Sequence, residues 1–308
     1  MKKRTLSILL TIILIPAFLA AESYQAQIEK SMKLMKTDPE KARGILNSAI
    51  ESHPDLGPAY ILKGYLYLAR DNEPVKAGIE FKRGIILVKD VEEKKTYLNL
   101  VEKLTSGFNS RDELMLYKKA HQAVEKNRPS EAVGYIKKAL KSNKSNYRLY
   151  YEMGYAHVEL NKFKKAIHYF EEGRKINPVS RRLLNELKYS YSHLGNMGKL
   201  QEIIVDIKNI YGDNPELNME LAFCQYKQKD TDLAISTLER NIKKFPDYYL
   251  SYYTLAQMYH KEKNCNKARE LLKVFLDNVD REYLERSSAK NDPDAILDDA
   301  RKMYESCK

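Results

Sequence analysis

One position in this chain recurs at a fixed interval. Ala132, Ala166, Leu200, Ala234 and Ala268 follow one another at spacings of 34 residues, and Pro178 and Pro246 lie two such periods apart. A repeat of that length excludes one continuous globular core and calls for a stack of like supersecondary units. The stretch Tyr147–Ser180 shows one unit in full. It carries Tyr150 fourth, Met153 and Gly154 seventh and eighth, Phe163 seventeenth, Ala166 twentieth, Phe170 twenty-fourth and Pro178 near its end. Its two halves each read as a helix, with Asn161 and Lys162 at the turn and Pro178 as the stop. Gly154 lets the two backbones approach where a side chain would hold them apart. A lone helical hairpin cannot bury its apolar face, so neighbours must stack on it.

The order aromatic, Leu or Met, Gly, Tyr, then Ala, an aromatic and Pro resembles the tetratricopeptide repeat (TPR) family. The resemblance runs over nearly the whole chain after its first two dozen residues. Tyr stands where the family favours Trp, of which this sequence has none. It implies an all-α, right-handed α-solenoid of about seven helical hairpins closed by a C-terminal capping helix. Because each hairpin in such an array touches only its neighbours, damage at one, as by Gly154→Leu, is expected to spare distant ones.

Taken in order, the chain begins with a basic start, Lys2, Lys3 and Arg4, an apolar run Leu6–Leu19 and small residues Ala20 and Ala21. That is the plan of a secretory signal peptide over residues 1–21, and it predicts a periplasmic or extracellular bacterial protein. The alternative is an uncleaved inner-membrane anchor. Residues 22–89 hold two hairpins, the first degenerate; residues 90–112 are an inserted helix and turn with Tyr97, Leu100, Val101 and Leu104 on one stripe. The insertion reads as a packed spacer or as a joint between two sub-arrays. Five hairpins follow over residues 113–279. In residues 280–308, a linker leads to a capping helix opened by Asp292 and Pro293, with Ile296, Ala300 and Met303 on its apolar side.

The formal charge is +11, to which Lys2, Lys3 and Arg4 contribute, but the lysines are scattered among glutamates along helices. That is a solvated surface, and nucleic acid is not an expected partner. Cys224, Cys265 and Cys307 are odd in number and have no metal-ligand spacing. Cys224 suits a buried small hydrophobe, a structural disulfide is not expected, and Cys307 is the thiol placed to pair between chains. No phosphate loop, paired cysteine motif or nucleophile elbow is present, so no enzyme activity, metal or cofactor is expected. His157, eleventh in its unit, suits a packing position between helices.

The resemblance implies a binding groove lined by the first helix of each hairpin. Its fifth, ninth, twelfth and thirteenth positions give Tyr117 and His121, then Tyr151, Tyr155 and Val158, then Asn185, Tyr189 and Ser192. Farther on they give Met219, Phe223 and Tyr226, then Tyr253, Gln257 and His260. Arg148 and Arg182 stand at second positions, near the edge, where they would select acidic or carboxylate-bearing partners. No unit pairs Lys at the fifth with Asn at the ninth position, so the family's C-terminal-carboxylate clamp is not expected. Tyrosine offers a flat apolar contact with a hydrogen-bonding tip, which suits capture of a protein or peptide segment. Two other readings share these features: a self-assembling structural envelope protein, and a binder of an envelope polymer such as a glycan.

Overall fold

Local chemistry sets the helix boundaries. Asp38, Asp90, Ser110, Asn146, Asn196, Asn214, Asn264 and Asp292 each accept a backbone N–H of the first turn of the helix they precede. Pro39, Pro74, Pro129, Pro215 and Pro293 sit in first turns, where the missing N–H costs nothing. A computed structural model describes residues 22–286 and 292–307. The leader expected over residues 1–21 lies outside them. The described residues form an all-α repeat solenoid of seventeen helices without strands. No helix among them is long and apolar enough to cross a membrane.

Contacts gather the chain into two compact units, Met1–Gly195 and Asn196–Lys308. The first holds α1 (Glu22–Leu34), α2 (Pro39–Ser52), α3 (Gly57–Ala69), α4 (Pro74–Leu87) and α5 (Val91–Thr105). It continues through α6 (Arg111–Glu125), α7 (Pro129–Ser142), α8 (Tyr147–Glu159), α9 (Phe163–Ile176) and α10 (Arg181–His193). The second holds α11 (Met197–Tyr211), α12 (Pro215–Lys227), α13 (Thr231–Lys244), α14 (Leu250–Lys261), α15 (Cys265–Asn278), α16 (Arg281–Arg286) and α17 (Pro293–Ser306).

The recurring alanines, Ala132, Ala166, Ala234 and Ala268, are fully buried where the two helices of a hairpin meet, as are Ala42 and Ala77. Opposite them, a Cβ on Gly64 would lie 2.7 Å from the Phe81 ring, and one on Gly154 would strike Phe170. The hairpin turns share a second periodic feature. Asn127, Asn161, Gly195, Lys229 and Lys263, again 34 residues apart, all hold a left-handed φ between 54° and 70°. The turn demands that conformation whichever residue supplies it.

The inserted helix α5 packs within the first unit. Tyr97, Leu100, Val101 and Thr105 are buried, and Leu104 is half-buried. The carboxylate of Glu102 accepts the Tyr147 hydroxyl, Arg148 at 3.0 Å and the Asn177 amide at 3.3 Å, all from the fourth hairpin. The Asn177 amide also reaches Thr105 Oγ1 at 3.0 Å. Helix α4 meanwhile packs on α9, with Gly78 set so closely that a Cβ would strike the Lys175 carbonyl. The second hairpin thus touches the fourth, which corrects the expectation that each hairpin meets only its neighbours. The reason is the insertion, which carries the chain out of the regular stack between the second hairpin and the third.

Candidate interaction surface

In the first unit α6, α8 and α10, which stand at corresponding places in the repeat, pack side by side. Several of the expected surface residues meet there around two carboxylates. Tyr117 on α6 is half-buried, stacks parallel to His121 with ring centroids 6.4 Å apart, and hydrogen-bonds Glu152 of α8. His121 Nδ1 lies 3.2 Å from Glu152 Oε1, and its Nε2 lies 3.5 Å from Glu125. Glu152 is only 2% exposed. Tyr151 and Tyr155, one turn apart on α8, stack with centroids 6.1 Å apart and planes 5° from parallel. Glu186 of α10 stands in the field of both rings, and the exposed Arg182 in that of Tyr117, Tyr151 and Glu152.

Burial governs the acid–base state of this patch. It pushes the Glu152 carboxyl above its ordinary value against the opposing pull of His121 and the Tyr117 hydrogen bond. It does the same to Glu186, with Glu159 adding like-charge repulsion. The Tyr117 phenol is pushed up to about 12, first by burial and then by Glu152. Tyr151 shifts in the same direction, first by burial and then by Glu186. Tyr117 and Tyr151 therefore sit at seams between first helices, each facing the carboxylate that stands one position on in the following repeat.

Other expected residues lie elsewhere. Arg148 reaches back to Glu102 on α5. Asn185 is exposed on α10, and Tyr189, 45% exposed, stands edge-on to Phe163 and to His193. In the second unit Phe223 is 46% exposed with the Lys227 ammonium 5.3 Å from its ring, and Tyr226 is half-buried under Lys261. Tyr253 stacks on Phe275 and donates to Asp299 of α17 at 2.6 Å, and Gln257 donates to the same carboxylate. The last helix thus runs along this part of α14. His157 is buried and stacked on Tyr169.

Glu152 and Glu186 escaped the sequence reading because carboxylates abound on solvated helices. A signal existed: Glu152, Glu186 and Glu220 stand 34 residues apart, at the sixth position of three successive units. Cys224 is buried as expected, whereas Cys307, expected to be placed for pairing between chains, is buried and faces Cys265 of its own chain.

Tetratricopeptide-repeat family models match residues 117–181 and 218–248. The chain is a tetratricopeptide-repeat protein. No curated protein matches this TPR chain in sequence. Among solved structures it is similar to MamA from Desulfovibrio magneticus, at 14% identity over 59% of this chain and 99% of that one, with a TM-score of 0.47. It is likewise similar to YrrB, described as a TPR protein with an unusual peptide-binding site, at 18% identity over 61% and 90% of the two chains, TM-score 0.47. A further MamA structure gives 14% identity over 58% and 97%, TM-score 0.48.

Proposed function

We propose that this TPR protein is a non-enzymatic scaffold that receives a polypeptide segment on the first-helix face of its first unit, and that it works outside the cytoplasm. The observation that carries the reading is the aromatic patch on α6, α8 and α10. Tyr117, His121, Tyr151 and Tyr155 share one neighbourhood across the packed first helices, with exposed Tyr189 farther along α10. Flat aromatic area with few rotors to freeze is what a segment-binding surface needs, and such residues dominate measured hot spots. Arg148 is engaged by Glu102, so Arg182 is the arginine left on the α10 side to meet a partner's carboxylate.

The test is site-specific photo-crosslinking in the native host, with the photoreactive residue placed at Tyr155 or Tyr189 and, as a comparison, at the exposed Ile79 on α4. A discrete polypeptide adduct from Tyr155 and Tyr189, absent from Ile79, is expected. Tyr189→Ala should then weaken capture at least tenfold, about the cost of truncating an aromatic anchor. Equal adducts from all three positions, or adducts to glycan alone, would sink the reading. Export is tested separately by N-terminal sequencing of the host protein, where intact Met1 in a cytoplasmic fraction argues against it.

A further inference from the structure

Cys265 opens α15 directly after its cap Asn264, and Cys307 ends α17. Their sulfurs lie 2.6 Å apart although 42 residues separate them in sequence. That is closer than two unbonded sulfurs rest, and a small adjustment from the ~2.05 Å of a disulfide. Both backbones are held in place by other contacts. Asp299 of α17 accepts Tyr253 and Gln257 from α14, His260 Nε2 lies 3.1 Å from Ser306 Oγ, and the Arg269 guanidinium of α15 covers the Tyr304 ring at 4.8 Å. Cys307 is buried in the cluster of Ala222, Leu238, Leu255, Met258 and Ala268, and Cys265 packs on that same cluster.

We propose that Cys265 and Cys307 form an intrachain disulfide that staples the last helix to the seventh hairpin. Cys265 is the more exposed of the two and makes the first attack. Its thiolate, having lost its proton to solvent, attacks the disulfide of a thiol–disulfide oxidoreductase, releasing one thiolate of that protein and forming a mixed disulfide. Cys307 then loses its proton and attacks the Cys265 sulfur, expelling the oxidoreductase's second thiolate. Two electrons pass to the oxidoreductase, whose disulfide becomes two thiols. Burial raises the Cys307 thiol to about 11, which slows it as a first nucleophile. Cys224 is a second buried thiol, raised to about 11 by burial, and stays reduced.

The test is a redox titration of the full chain in glutathione buffers, quenched with acid, alkylated after denaturation and digested for mass spectrometry. In the oxidised buffers, a peptide pair joined through Cys265 and Cys307, two hydrogens lighter than the sum of its thiol forms, is expected, with Cys224 alkylated. Oxidation should raise the melting temperature of wild type by about 5–10 °C and leave that of Cys307→Ser unchanged. Three alkylated thiols in every buffer would overturn the proposal, as would a Cys307-linked dimer on a non-reducing gel. The mass readout needs no variant to fold. It uses purified chain, so it stands whether or not residues 1–21 are a leader.

Discussion

Glu152 shows how one side chain can tie surface chemistry to stability. Burial raises its carboxyl in the folded chain, so between the unfolded and folded values the folded state binds the proton more tightly. Its contribution to stability is therefore present at low pH and lost as pH rises through the folded value. Glu152→Gln, which is permanently neutral, is expected to melt at or above wild type at pH 7, with the advantage fading as pH falls through the carboxylate range. A variant that melts lower than wild type where the carboxylate is ionised, with the deficit fading at low pH, would show that the contact with His121 dominates. His157 carries the opposite sign. Burial and the nearby Lys165, Lys162 and Lys137 lower it, so its contribution is present above its ordinary 6.5 and lost as pH falls below it. At the hairpin seam, Gly154→Ala drives a methyl into Phe170 and should cost roughly 1–3 kcal/mol by chemical denaturation. Gly154 and Ala166 were legible because packing this close admits few residue types. Glu152 was not, because its type is common and only its register is unusual.

The hairpin turns carry a lesson at the scale of elements. Five of them place a residue in the left-handed region at the same step of the repeat, yet the sequence fills that step with Asn, Asn, Gly, Lys and Lys. A backbone requirement met by three residue types leaves no visible period, so the turns were read from Asn161 and Lys162 without their shared conformation. Lysine is poorly suited there. Lys229→Gly and Lys263→Gly should each stabilise the second unit by about 0.5–1 kcal/mol, the strain relieved exceeding the added freedom of the unfolded chain. Thermal melts showing a loss in both variants would contradict this. The amphipathic stripe of α5 was readable for the opposite reason, since Tyr97, Leu100 and Val101 obey helical spacing. What that helix touches was not readable, because Glu102 meets Arg148 and Asn177 across 46 and 75 residues, where no local pattern reaches. Glu102→Ala leaves three donors short of one acceptor and should cost about 1–2 kcal/mol. Hydrogen exchange should locate the loosening at α5 and the start of α8; uniform loosening of the whole chain would count against a local contact.

For the molecule as a whole, the repeat period made the all-α stack legible, and the excess length between Ala77 and Ala132 marked where regularity breaks. Gly78 and Lys175, about a hundred residues apart in sequence, are pressed together in the first unit. In a linear repeat array nearly every contact is local, so the chain can nucleate anywhere and zip. Here one contact must await closure of a long loop, and the search for it is an entropic barrier that local helix formation does not lower. Refolding of the first unit should accordingly show fast growth of helical signal, then a slower step in which α4 finds α9. Gly78→Ala, whose methyl has backbone in its way, should weaken that late contact and speed unfolding more than it slows helix growth. The insertion gives a solenoid, whose folding is ordinarily decided between neighbours, one step decided at long range.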